Sequence, residues 1–199
     1  MVNIVFDIGG VLIDWNPEHL YRTVIPNADE RHFFLTEVCN PAWNAKQDLG
    51  RSWAEAEQEA ALRFPQWADA ISLYRSRWDE MVSGAIPGGF ELLSDLHSKG
   101  HKVTGLSNWN QHTFREIGDR FPMLSLLQWV TVSGEVGLAK PDPAIYRLHA
   151  SRLESEPAQI VFIDDNVRNI EAAIAMGWQG ILFADAASTR ADLQRLGLV

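Results

Sequence analysis

Four short polar groups stand out along this chain: Asp7-Ile8-Gly9-Gly10, Ser107-Asn108, Lys140-Pro141 and Asp164-Asp165-Asn166. Carboxylate oxygens suit a hard cation such as Mg²⁺, and such an ion offsets the repulsion between an anionic nucleophile and an anionic ester. Two carboxylate clusters and one lysine therefore make a consistent kit for phosphoryl transfer, and covalent catalysis through an aspartyl phosphate becomes feasible. Lys140 can compensate charge on a transferring group, while Ser107 and Asn108 can donate hydrogen bonds to its oxygens. Gly9 and Gly10 carry no side chain, so the backbone there can approach a metal or a phosphate closely.

The elements that must position these groups are legible as apolar runs. Val2 to Phe6, Lys102 to Leu106, Trp129 to Val132, Gln159 to Ile163 and Gln179 to Phe183 have strand length and the composition of strands buried on both faces. Helical spacing of apolar residues follows at Phe90, Leu92, Leu93 and Leu96, at Ile145, Leu148 and Leu153, and at Ile170, Ala173 and Ile174. Pro87 before the first of these and Gly100 after it are helix punctuation. Alternating strands and helices imply an α/β fold, a doubly wound and mainly parallel five-stranded sheet. Ligands bind beyond the carboxyl ends of such strands, where all four polar groups fall, so the pattern predicts that they converge on one crevice.

Residues from about Asn16 to Gly84 break the alternation, with amphipathic stretches at Ser52 to Phe64 and Ala68 to Val82 and no convincing buried strand. The expected organisation is a core of residues 1–15 and 85–199 with a small helical cap, 16–84, inserted after the first strand. Ile86-Pro87-Gly88-Gly89 marks the return to the core.

Composition narrows the function classes. Of 199 residues, 46% are hydrophobic and 22% charged, enough for one good core. A net charge of −9 without any basic run argues against nucleic acid as a partner. Cys39 is the only cysteine, which excludes an intrachain disulfide, a thiolate metal cluster and a CxxC redox site, and fits a reducing cytosol. No secretory leader or membrane-length apolar run is recognisable, so a cytoplasmic location away from membranes is expected. The six histidines lack metal spacing and Gly9-Gly10 is no dinucleotide fingerprint. In isolation, Asp7 reads more readily as a turn residue than as a catalytic one, and Asp164-Asp165-Asn166 can read as a helix cap and Lys140 as a solvated charge.

Order and context change that reading. VFDIGGVLIDW, LSNWN, GLAKPDPAIY and VFIDDNVRNIEAA resemble, in sequence order, the four motifs of the haloacid dehalogenase-like hydrolase superfamily. The resemblance covers the whole chain and is nearest to small bacterial sugar-phosphate phosphatases, such as glucose-1-phosphate phosphatase, and to the phosphatase domain of bifunctional epoxide hydrolases. It implies a Rossmann-like core in which Asp7 is the nucleophile and Ser107, Asn108 and Lys140 bind phosphate. It further implies Mg²⁺ held by Asp7, the carbonyl of Gly9 and an aspartate of the fourth motif, Asp165 directly and Asp164 through water. The substrate class so implied is a small phosphorylated metabolite, with the enzyme a monomer or homodimer.

One position departs from the usual phosphatase motif. The general acid expected two residues after the nucleophile is Gly9, a loss worth about 10²–10⁴-fold in rate where protonation limits. Asp14, His19 or a metal-ordered water are candidate replacements, and a sugar 1-phosphate, whose leaving group needs little protonation, would lessen the loss. The sugar-phosphate branch is similar in carrying glycine here. Two alternatives stay open: a 2-haloacid dehalogenase, which needs no metal, and a silent relative that binds a phosphorylated ligand without turnover. Of eight tryptophans, Trp15, Trp43 and Trp109 are the candidates for stacking on a sugar ring, packing being the commoner use.

Overall fold

The computed structural model describes residues 2–199; Met1, first residue of the 1–15 segment, lies outside the described residues. Strand β1 (Asn3–Phe6) runs through the centre of a five-stranded parallel sheet. After it the chain folds back within a few residues, Leu12 and Ile13 both donating to the carbonyl of Ile8, and enters β2 (Ile13–Trp15). Helices α1 (Pro17–Val24), α2 (Ala28–Phe33), α3 (Pro41–Asp48), α4 (Trp53–Arg63) and α5 (Ala68–Ser76) follow, with a π-helical turn at Phe34–Val38. Asn16, Asn27 and Asn40 cap the first three through their side-chain oxygens, and Pro17 and Pro41 occupy the first turns, where their missing N–H costs nothing.

The stretch from Ala68 to Val82 is not one helix. It becomes α5, a 3₁₀ turn at Trp78–Met81 and the strand β3 (Val82–Ala85), which pairs antiparallel with β2. This short ribbon was not apparent as a strand signal because Val82-Ser83-Gly84-Ala85 offers one large apolar residue; long-range pairing with β2 decides it. The remaining core comprises α6 (Gly89–Ser98), β4 (Lys102–Ser107), α7 (Gln111–Gly118), β5 (Val130–Val132), α8 (Ser133–Val136), α9 (Pro143–Leu153), β6 (Ile160–Asp164), α10 (Val167–Ala175), β7 (Gln179–Leu182) and α11 (Ala186–Arg195).

The sheet order is β5-β4-β1-β6-β7, all neighbours parallel. The five expected strands are present, with ends displaced by a residue. The central strands β1 and β6 feed both faces: Ile4, Phe6, Val161 and Ile163 pack on the side of α6 and α11, while Val5, Ile160 and Phe162 pack with Ile145, Tyr146, Ile170 and Ala173 of α9 and α10. Ile174, counted in the apolar spacing of α10, is 54% exposed. The first cluster runs on into the inserted helices through Leu20, Tyr21, Phe34, Ile71, Tyr74 and Met81, so this segment shares apolar burial with the sheet side of the molecule. Phe6 lies opposite Gly105 on one side and Ile163 on the other, which brings Asp7, Ser107 and Asp164 out at the same end of the sheet.

Candidate active site

At that end, Lys140 reaches in from the loop before α9 and joins two carboxylates: its Nζ is 2.8 Å from Asp7 Oδ2 and 2.7 Å from Asp164 Oδ2. Its position is set by Asn108, whose side chain donates to the Lys140 carbonyl and accepts from the Lys140 N–H, each at 2.8 Å. One N–H and the carbonyl of the Asn108 amide are thus engaged in holding the lysine, leaving its second N–H for a ligand. Asp164 is tied down more fully. Its Oδ1 accepts from the Asn166 N–H, and both oxygens accept from Asn169 Nδ2. Asn166, rather than either aspartate, caps α10.

Asp165 turns toward the glycine turn. A Cβ built on Gly10 would lie 2.3 Å from Asp165 Oδ2, and Gly10 has a φ of +76°, so both the space and the backbone require glycine. Ligand oxygens of Asp7, Asp164 and Asp165 all lie within 4.8 Å of one another. Three carboxylates against one ammonium leave the cluster two negative charges in surplus. Burial, together with Asp164 and Asp165, pushes the Asp7 carboxyl well above the usual range, with Lys140 opposing. Burial and Asp164 likewise raise Asp165. Burial works against the Lys140 ammonium too, but Asp7 and Asp164 outweigh it and raise its pKa. Oxygen-only donors with an unbalanced negative charge fit a hard divalent cation and fit no soft metal.

These groups open into a cavity of about 360 Å³ lined by Asp7, Gly9, Ser107, Asn108, Lys140 and Asp165, and by residues of the inserted helices. Trp15 and Trp109 line it; Trp43 does not, being packed against Tyr74 with a centroid distance of 5.0 Å and its Nε1 directed to the Ala56 carbonyl. Asp14 and His19 are also outside the lining. They pair with each other at 3.0 Å, and Asp14 accepts from the Ser83 hydroxyl, which with His19 lowers its pKa and keeps it anionic. Asp14, held anionic outside the lining, does not supply the proton donor missing at Gly9.

Asn44, Asp48, Trp78 and Asn169 line the cavity without having been singled out from the sequence. A signal for two of them existed: Asn44 and Asp48 are four apart in a segment opened by Asn40-Pro41, hence on one face of one helix. Which way that face pointed was not encoded locally.

Fold and site together define a protein of doubly wound α/β architecture whose acidic centre sits at the carboxyl ends of a parallel sheet. The chain belongs to the haloacid dehalogenase-like hydrolases, whose sequence pattern matches residues 1–177. It is 25% identical over 199 residues to the sesquiterpene phosphatase of Aspergillus oryzae, covering 96% of this chain and 94% of that protein. It is 26% identical over 192 residues to (S)-2-haloacid dehalogenase 4A of Burkholderia cepacia, covering 89% and 80%. Flavin mononucleotide hydrolase 1 of Arabidopsis thaliana is 32% identical over 113 residues, 57% of this chain, which spans only 46% of the length of that relative. Among solved structures, a HAD-like hydrolase from Porphyromonas gingivalis superposes with a TM-score of 0.73 at 22% identity, covering 98% of this chain and 97% of that one. A HAD family enzyme from Bacteroides thetaiotaomicron, in complex with magnesium and inorganic phosphate, gives 0.67 at 22% identity, covering 92% and 93%. At such identities the likeness concerns the fold. No helix among the described residues is long and apolar enough to cross a membrane.

Proposed function

We propose that this hydrolase is a Mg²⁺-dependent phosphomonoesterase acting on a small phosphorylated metabolite, a sugar phosphate being the favoured class. The observation that carries this reading is the surplus of carboxylate at the site: Asp7, Asp164 and Asp165 gathered within 4.8 Å with Lys140 as the one cation bridging two of them. A dehalogenase needs no such surplus, since its aspartate attacks carbon in a monoanion.

Asp7 Oδ attacks phosphorus, the ester oxygen leaves, and water then hydrolyses the aspartyl phosphate. Lys140 steadies Asp7 and faces the charge on the transferring group, and Ser107 with the free N–H of Asn108 donates to phosphoryl oxygens. Bound Mg²⁺, held by Asp7, the Gly9 carbonyl and Asp165, with Asp164 acting through water, would shield the nucleophile from the anionic substrate. Residues 16–84 serve as the cap over the core of residues 1–15 and 85–199. Their contribution to the cavity selects the leaving group, and Trp15, Trp78 and Trp109 supply an apolar wall on which a sugar ring can stack.

Release of inorganic phosphate from sugar, nucleotide and organic acid phosphates, with Mg²⁺ and with EDTA, tests the reading, with Asp7→Asn as the control. Turnover that requires Mg²⁺ and disappears in the variant is expected. Halide release from 2-haloacids that survives EDTA, without phosphate release from any ester, would replace it with the dehalogenase reading favoured by the Burkholderia relative.

A further inference from the structure

Gly9 leaves the cavity without the carboxyl that would protonate a leaving alcohol, and the strand ribbon does not replace it, because Asp14 is anionic and outside the lining. Beyond Asp7 and Asp165, one more carboxyl lines the cavity, and it comes from the inserted helices. Asp48 is the last residue of α3 and shares that lining with Asp7, Ser107, Asn108 and Lys140.

Its placement relative to the core is held by two hydrogen bonds from core residues. Asn110 Nδ2 donates to the Gln47 carbonyl at 2.9 Å, and the Ser133 hydroxyl donates to the Asp48 carbonyl at 2.5 Å. Asn110 follows the Ser107-Asn108 pair in the same loop, so the end of α3 is clamped to the segment that meets the phosphate. The carboxyl has the Asn44 amide at 2.9 Å and, among the described residues, no cationic partner. A carboxylate at this point also faces the negative end of its own helix, an arrangement that disfavours the charged form. Burial pushes its pKa up to about 8, against a backbone hydrogen bond from Asn110. Its surroundings thus favour the protonated carboxyl over the carboxylate.

We propose that Asp48 is the general acid of this enzyme, donating its proton to the ester oxygen as the leaving alcohol departs. The step balances as follows: the bond from Asp7 Oδ to phosphorus forms, the bond from phosphorus to the ester oxygen breaks, and the Asp48 proton passes to that oxygen, leaving the aspartate ionised. Water attacking the aspartyl phosphate returns a proton to Asp48, and Asp7 is released as carboxylate. Asp48 belongs to the inserted helices, so proton delivery and leaving-group selection reside in one segment.

The inference rests on the phosphomonoesterase reading, and its test separates the two. Wild type and Asp48→Asn, both with Mg²⁺, are mixed in excess with an alkyl phosphate and with 4-nitrophenyl phosphate, and release of the alcohol or phenol is followed over a single turnover. The nitrophenolate leaves without a proton; the alkoxide does not. Asp48→Asn is expected to slow alcohol release by about 10²–10⁴-fold and nitrophenol release by less than about tenfold. Its melting temperature is expected to stay unchanged or rise, since the amide keeps the side-chain shape and removes an ionisable group from an unfavourable site. Equal slowing of both substrates, or slowing of neither, overturns the role of Asp48 while leaving the phosphatase intact. A wild-type enzyme that hydrolyses neither these esters nor any of the sugar, nucleotide and organic acid phosphates overturns the phosphatase reading and this inference with it.

Discussion

His149 of α9 provides a quantitative test of how the core was built. The ring is fully buried beneath the sheet, with Nε2 3.0 Å from the Thr104 hydroxyl and Nδ1 2.9 Å from the Thr131 hydroxyl. Burial, then the positive charges of Arg152 and Lys140, depresses its pKa from 6.5 to about 3. The unfolded chain therefore binds this proton near pH 6.5, and the folded protein resists it until about pH 3. Because the unfolded state holds more protons across that interval, the stabilisation is fully present above pH 6.5 and is lost as the pH falls toward 3. At about 1.36 kcal/mol per unit, the loss on going from pH 7 to pH 4.5 is about 2.5 kcal/mol, or roughly 5–10 °C in melting temperature for a chain of this size. Asp7, Asp48 and Asp165, with raised pKa values, act in the opposite sense, so the test is a difference between two proteins. Thermal or urea unfolding of wild type and His149→Gln is measured from pH 4.5 to pH 7. The variant loses the two threonine bonds at every pH, a constant offset, and its profile should lack the His149 slope. Curves that run parallel within about 0.5 kcal/mol over the interval would refute the buried neutral imidazole.

The two glycines of the turn after β1 should answer differently to the same change. Gly10→Ala drives a Cβ into Asp165 at a positive φ and is expected to cost about 1–3 kcal/mol and to weaken Mg²⁺-dependent activity, whereas Gly9→Ala meets only the Trp109 ring at 3.4 Å and should cost less than about 1 kcal/mol; denaturant melts of both variants check this. Lys140→Met leaves Asp7 and Asp164 buried without their cation, so a loss of about 3–5 kcal/mol is expected in EDTA, read as a fall in melting temperature, together with loss of phosphate release. A melting temperature unchanged by that substitution would show that the triad carries no net ionic stabilisation.

Much of this protein was local information. The central strands β1 and β6 announced themselves as short apolar runs because a strand covered on both faces needs buried residues along its length, whichever partner it meets. The position of Asp7, Ser107 and Asp164 at one end of the sheet followed from strand direction alone, since parallel strands carry their carboxyl ends to the same side. The order of the four motifs was likewise written along the chain.

Membership of the cavity was another matter. Trp43 and Trp109 have equal claims as sequence, yet one packs into the helical insertion and the other borders Gly9. Asn108, a natural phosphate donor by type, spends most of its amide on the backbone of Lys140, thirty-two residues away. Asp48 entered the site because Asn110 and Ser133, remote in sequence, hold the end of α3 over the strand ends. Periodicity tells which face of an element is apolar, because that depends on neighbours a few residues away. Where a polar face points, and whether a carboxyl there stays in bulk water or lines a cavity, depends on packing between segments far apart in the chain, and only the folded structure decides it.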